Sequence, residues 1–518
     1  MLPTFRKTMS RSGTTAVKRT QVITRHMMST TSTSTRHEEP QVIFDSLLSV
    51  RTYKLNRPKK LNALSHEMLR LLRPKIEEWS RSDLCTAIWG WGEGRAFCAG
   101  GDVAGVVQAA ADPKTRDKAT DFFKSEFELD YMLAAVPQPY VAIMDGITMG
   151  GGVGLSIPAN FRVATENTVF AMPETKIGYC PDVGASYFLS RLDGEMGTYL
   201  ALTGDTLKGR AVFEHGFATH YIPARRLPML LESMSDSSNV AGLGVRQGRR
   251  VKEYQMNTKE YSKRINKLIE EYALEAEPTD KLVSDFVGVK RSAIDWAFRH
   301  HKVEKIIVDL QKLTSHSDPS ISKWASTTID TLNLRSPTSL KVALRAIRTG
   351  KSKNLLRALE MELQIAAACC RGATPDFKIG VEAVLVERIN GRPNWSPATL
   401  EEVSAEKVDE FFNGKYLTDA DKLDIPEEFA ERRILEPFHY ALPTELEIRQ
   451  MVTGDHPSGA SSGLTEDELV DKFNVLYDGK VGVKEKVLEV ARRRCQLVDN
   501  ADGNRVWLQW RHSVEEPR

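Results

Sequence analysis

Apolar residues run along this chain in short stretches that end at glycine, proline or a carboxylate. Val42-Ile43-Phe44 and the partly alternating Leu47 to Leu55 stop at Asn56-Arg57-Pro58, which predicts a hairpin. Apolar positions then recur at helical spacing from Ser65 to Ser80, predicting an amphipathic helix. The run Ala87-Ile88-Trp89-Gly90-Trp91 predicts a buried strand, and it leads through Gly92-Glu93-Gly94 into the turn Ala99-Gly100-Gly101-Asp102. A helix over Asp121 to Ala135 and a strand over Tyr140 to Met144 follow. That strand enters Gly146-Ile147-Thr148-Met149-Gly150-Gly151-Gly152-Val153-Gly154, with a helix starting near Gly151 and a strand at Phe161 to Ala164. Thr168 to Met172 then precedes the first of two acids, Glu174 and Asp182. Strand, glycine turn and helix in repetition predict an α/β fold of stacked units with functional groups at strand ends.

Beyond about residue 225 the pattern turns helical. Segments 259–276, 279–288, 290–314, 318–332, 337–349 and 352–371 carry helical spacing. Near the end come a loop from His456 to Gly463, a capping box Thr465-x-x-Glu468, a charged helix over about 482–495 and a strand-like Val506-Trp507-Leu508-Gln509-Trp510. Five segments are expected: 1–37, 38–235, 236–335 as a helical insertion, 336–415 as a helical completion of the core, and 416–518 as an appended extension.

Charge changes this picture mainly at the N-terminus. The whole chain of 518 residues has a net charge of +2, which gives no general pull toward nucleic acid. Residues 1–37, however, hold seven Lys/Arg, fifteen Ser/Thr and no acid. That is the composition of a mitochondrial presequence, and a matrix location is expected. The basic stretch 246–267 holds eight Lys/Arg against two Glu, and reads as a solvated helix face, a contact for phosphates or an RNA-facing patch. The six cysteines form no C-x-x-C pair and no metal-ligand spacing, so reduced core cysteines are expected and a metal site is not. No apolar run approaches the length of a membrane span.

The glycine turns and the two acids are the candidate chemistry. Glycines let backbone N–H groups approach a carbonyl without a Cβ in the way, and two converging N–H donors stabilise an oxyanion. The spacing from Gly150 to Gly154 fits neither a P-loop nor a dinucleotide fingerprint. Glu174 and Asp182 each follow a proline in apolar or glycine-rich sequence, where partial burial would raise their pKa values into a useful range.

From Phe97 to Arg210 the chain resembles the crotonase (enoyl-CoA hydratase/isomerase) superfamily, and within it the 3-hydroxyisobutyryl-CoA hydrolases. The resemblance rests on Phe97-Cys98-Ala99-Gly100-Gly101-Asp102, the run Gly146 to Ser156, Phe161 to Glu166, Phe170 to Thr175 and Pro181-Asp182-Val183-Gly184. Tyr187-Phe188-Leu189, Leu200 to Gly204, Ser336 to Lys341 and Trp395-Ser396-Pro397 extend it. It implies a ClpP-like spiral of ββα units with a C-terminal helical region, and hydrolysis of a short 3-hydroxyacyl-CoA in valine breakdown. By position it implies oxyanion-hole N–H groups on Gly101 and Gly151 and a catalytic glutamate at Glu174. Asp182 would bind the substrate's hydroxyl end and assist water, and Glu126, Gly100, Asp102 and Gly150 would contact substrate. Whether Glu174 attacks the thioester or activates water stays open, with the nucleophilic route preferred. Coenzyme A enters only as part of the substrate, with no metal or redox cofactor.

Enoyl-CoA hydratases carry a second glutamate where this chain has Gly154, which disfavours hydration. Ala185-Ser186 and Tyr179-Cys180 replace residues typical of the animal hydrolases beside Asp182 and are expected to narrow the acyl pocket. A role of another class is also implied, because some fungal members are components of the small mitochondrial ribosomal subunit. Residues 416–518 would suit such docking, or would form a loosely attached appendage. Oligomeric state is not legible.

Overall fold

The computed structural model describes residues 39–235, 251–273, 282–458, 463–499, 506–512 and 515–517. The expected presequence and the core of the 456–463 loop lie outside the described residues. So do residues 246–250 and the side chains through 259 of the basic stretch.

The alternating apolar runs become two sheets. One has six strands in the order β1 (Val42–Leu47), β2 (Val50–Leu55), β3 (Ala87–Gly92), β5 (Tyr140–Met144), β7 (Phe161–Ala164), β10 (His220–Tyr221). Only the β1–β2 hairpin is antiparallel; the remaining pairings are parallel. The second has four strands in the order β4 (Ala96–Cys98), β6 (Ile147–Met149), β8 (Val169–Ala171), β9 (Leu207–Lys208). The chain therefore passes from the large sheet to the small one three times, at β3–β4, β5–β6 and β7–β8. Each transfer ends in one of the turns singled out above: Gly100-Gly101, Gly150-Gly151 and the Glu174 turn. This is the expected spiral of two strands and a helical element per unit, and it brings three distant turns to one place.

The helices follow the predicted periods with informative differences. The His66–Ser80 helix starts at Ser65, whose hydroxyl accepts from the Met68 N–H. The expected 121–135 helix begins earlier and runs from Arg116 to Ala135. The segment 290–314 is two helices, Gly288–Ala297 and Val303–Leu313. The break is held by Arg348, which donates to the carbonyls of Phe298 (2.6 Å) and His300 (3.0 Å), ending the first helix. Residues 282–287, expected in a helix, are irregular. Val506–Trp510 is β12, paired antiparallel with Cys495–Asp499 (β11), a strand the pattern did not reveal. The capping box at Thr465 forms as expected. All six cysteines are buried and unpaired.

Residues 41–518 form one compact unit. The last hundred residues are built into that unit rather than hung from it. Lys486 pairs with Asp193 at 2.8 Å. Arg493, nearly inaccessible, reaches Asp295 (3.4 Å), Glu445 (2.8 Å) and Glu489 (2.9 Å). Asp295 also holds Arg291 at 3.0 Å. Arg162 on β7 is buried and, among the described residues, pairs with no carboxylate: it donates to the carbonyls of Phe217 (2.6 Å), Ala159 (2.8 Å), Gly216 and Ile157 (3.4 Å each), and Pro437 of the extension. The Phe161 and Tyr440 rings meet at 4.6 Å beside it.

Candidate active site

Glycine conformation explains why the first two turns can touch. Gly100 (φ +110°) and Gly150 (φ +46°) lie in the region that side chains avoid. A Cβ on Gly150 would stand 3.3 Å from the Gly100 Cα and 3.1 Å from Glu174 Oε1. A Cβ on Gly151 would fall 2.1 Å from Glu126 Oε1, and one on Gly101 would meet the Phe122 ring at 3.2 Å. The two glycine turns, Glu126 and Glu174 therefore share one small space. Among the described residues, neither the Gly101 nor the Gly151 N–H has a main-chain acceptor. Gly151 opens the Gly151–Ser156 helix, where unpaired N–H groups are a consequence of helix geometry.

The acids around this space are more deeply buried than the sequence implies. Glu126, Asp130, Glu174, Asp182 and Glu362 are 2, 1, 7, 4 and 0% exposed. Glu126 does not lie on a solvated helix face. Among the described residues, one oxygen each of Glu126 and Glu174, and both of Asp130, have no hydrogen-bond partner. Burial pushes Glu174 up to about 8, and burial plus the charge of Glu174 pushes Glu126 to about 8. Asp182 is held well above the carboxylate range by burial and by the fields of Glu126, Glu174 and Glu362; the Tyr179 hydroxyl acts in the opposite direction. Asp130 is raised well above it too, by burial and by Glu126, Asp182 and Glu362. Like charges this close cannot all ionise, so the cluster stores protons at neutral pH and can give or take them.

Each acid is placed by its own element. Glu174 begins a short turn after β8, against which the Asp376–Val381 helix packs; a Cβ on Gly178 would hit the Asp376 carbonyl at 2.0 Å. Asp376 is anchored by the Ser336 hydroxyl (2.6 Å) and the Ser396 N–H (2.8 Å), which explains why residues 336–396 complete the core. Asp182 precedes Val183, a β-branched residue at φ +55°. Such a conformation costs on the order of 1–3 kcal/mol and persists only where its surroundings impose it. Tyr179 packs between Phe123 (5.3 Å) and Phe377 (5.0 Å), forming an aromatic wall.

Asp102 stands apart. Its carboxylate takes Arg57 at 3.1 Å and is half-exposed, outside the acid cluster. Asp130 and Glu362 were not anticipated. Asp130 was legible as an acid four residues after Glu126 on a largely apolar helix, hence on the same face. Glu362 was legible because, unlike its neighbour Glu360, it shares a helix face with Ala358, Ile365 and Cys369 in the Leu355–Cys370 helix. Gly154 faces Asp130: a Cβ there would meet Asp130 Oδ2 and Val183 Cβ at 2.7 Å each. The space a longer side chain at 154 would need is taken by another carboxyl. No group of His, Cys, Asp and Glu among the described residues has metal-binding geometry.

Two glycine turns and the buried carboxyls of Glu126 and Glu174 thus meet in one small space, and the chain belongs to the Enoyl-CoA hydratase/isomerase family, which it matches over residues 50–412. It is 41% identical over 367 residues to the mitochondrial 3-hydroxyisobutyryl-CoA hydrolase of Gallus gallus, covering 69% of this chain and 85% of that one. It is 38% identical to the Homo sapiens protein of that name, covering 77% and 94%. It is 39% identical over 465 residues to the small ribosomal subunit protein mS47 of Neurospora crassa, covering 88% and 86%. Among solved structures, a carnitinyl-CoA dehydratase from Mycobacterium thermoresistibile aligns with a TM-score of 0.62 at 30% identity, over 75% of this chain and all of that one.

Proposed function

We propose that this protein hydrolyses 3-hydroxyisobutyryl-CoA, or a close short 3-hydroxyacyl-CoA, to the free acid and coenzyme A, acting in the mitochondrial matrix. The observation that carries this reading is the pairing of Glu174 with Gly154. Glu174 lies beside the Gly150 turn, where a Cβ would come within 3.1 Å of its Oε1, and the position where a hydratase would carry its second glutamate is a glycine closed off by Asp130 and Val183.

In this reading the N–H groups of Gly101 and Gly151 receive the thioester oxygen as it gains charge; losing one such donor costs ~10²–10³ in rate. Glu174 attacks the carbonyl carbon, and the carbon–sulfur bond breaks to leave an anhydride on Glu174 and a thiolate that takes a proton from the acid cluster. Water then opens the anhydride, restoring Glu174 and releasing the hydroxy acid. Asp182 meets the substrate's hydroxyl end and assists that water. Glu126, Gly100 and Gly150 line the substrate, while Asp102 shapes the first turn through Arg57. The reaction itself needs no metal or redox cofactor.

The test is release of free thiol from 3-hydroxyisobutyryl-CoA. Release by the purified protein that Glu174→Gln abolishes supports the assignment; hydration of an enoyl-CoA without thiol release overturns it. A second reading, membership of the small mitochondrial ribosomal subunit, is favoured by the Neurospora crassa match, which covers a larger share of this chain than the hydrolase matches do. Sedimentation of mitochondrial extract tests it: cosedimentation with the small subunit at low salt is expected, and protein confined to the top of the gradient contradicts it.

A further inference from the structure

The loop that carries Asp182 has an anchor on a helix more than 170 residues away. Glu362 Oε2 accepts from the Gly184 N–H at 2.6 Å. Its Oε1 accepts from the Ser186 N–H at 2.8 Å and the Ser186 hydroxyl at 2.5 Å. These three donors bracket the segment immediately after Asp182 and follow the left-handed Val183. Glu362 is wholly inaccessible, and among the described residues no cation pairs with it. A buried carboxylate without a counter-ion is expensive unless its acceptors are filled, so its retention here points to a task in holding this turn.

We propose that Glu362 is a positioning residue for the reaction: it clamps the Gly184–Ser186 turn and thereby fixes the direction and the protonation of Asp182. The proposal rests on the reading that Asp182 acts in thioester hydrolysis. The clamp works through geometry first, since the turn has three donors and one acceptor group to satisfy them. It works through charge second, because Glu362 adds to the negative field on Asp182. The same field reaches Asp130 on the Arg116–Ala135 helix and Cys180 on the loop, and the packed Pro337–Gly350 helix adds no charge to Glu362. Ser186 is one of the residues at which this chain departs from the resemblance, and its hydroxyl supplies the third bond of the clamp.

Glu362→Gln keeps the shape, removes the charge and sets an amide NH₂ against a donor. We expect kcat for 3-hydroxyisobutyryl-CoA to fall about 10–100-fold with KM changed less than about threefold, as a small displacement at the reacting groups does. The acid limb of the kcat profile should move to lower pH, because neutralising Glu362 lets Asp182 ionise more easily. Ser186→Ala, which removes one bond and no charge, should lower kcat about threefold to tenfold and leave the acid limb in place. If Glu362→Gln does not fold, Ser186→Ala with an unchanged melting temperature carries the test alone. Wild-type kcat and an unmoved acid limb in Glu362→Gln, with Glu174→Gln inactive, would overturn the clamp and spare the hydrolase reading. Absence of thiol release by the wild type would overturn both.

Discussion

Replacing Glu174 by Gln should make the protein more stable, and increasingly so as the pH rises. The carboxyl titrates at about 8 in the fold against an ordinary 4.5, because burial disfavours its charged form. A folded-state value above the unfolded one means that the native state holds the proton more tightly. The stabilisation is complete below about 4.5 and is lost as pH climbs through 8. Each pH unit in that window costs the native state about 1.4 kcal/mol, so the total approaches about 5 kcal/mol above pH 8. The amide never ionises and escapes this cost. Relieving the field on Glu126 and Asp182 acts in the same direction. Melting temperatures of wild type and Glu174→Gln, measured from pH 5 to pH 9, read the difference directly. For a folded unit of this size about 1 kcal/mol corresponds to about 1 °C, so the variant's advantage should widen by about 4 °C across the range. Two curves that stay parallel would refute the claim that Glu174 is buried without compensation. Its function would then need another source of basicity.

The same acids set the rate profile: kcat/KM for thiol release should rise with pH and level off near 8, whereas an acid limb near 4.5 would contradict the shielded cluster. Gly151→Ala places a methyl 2.1 Å from Glu126 Oε1 and should lower kcat by at least tenfold in the thiol assay. Gly154→Glu should not produce a hydratase. Its first carbon already meets Asp130 and Val183 at 2.7 Å, and overpacking of about 1–3 kcal/mol should appear as a lower melting temperature with no gain of enoyl-CoA hydration. A chain ending at residue 415 loses the cation paired with Asp193 and one of the two paired with Asp295, and should be insoluble or unfolded by circular dichroism; a soluble, active fragment would show that the extension is dispensable.

The spiral was legible because it is local: each unit is a short apolar run, a glycine turn and a helix, and each signal lies within about thirty residues. The candidate site was legible for the same reason, since Gly100, Gly150 and Glu174 end consecutive strands. What escaped notice is non-local. Asp130 becomes a wall of the site only when its helix lies against Gly154, and Glu362 matters only through a turn far away in the chain. The split at Arg299 to Lys302 depends on Arg348 reaching back to two carbonyls, which no window of sequence contains. Strand β11 is no shorter than β12, but it follows the charged Val483–Arg494 helix with no glycine or proline between them to mark its start. Asp102 shows the converse: a carboxylate within the local motif that pairs with Arg57 at 3.1 Å rather than with the other acids.

Arg162 lies on β7, among the early strands of the large sheet, yet one acceptor of its buried guanidinium is the carbonyl of Pro437, 275 residues later. Synthesis proceeds from the N-terminus, so this arginine is made long before its last acceptor exists. Until then the core has a charged group it can neither expel nor fully satisfy, and the nascent chain cannot settle into its final packing. The extension thus works as a completion signal. A chain interrupted before Pro437 has every residue of the candidate active site and still lacks one acceptor of the buried Arg162 guanidinium.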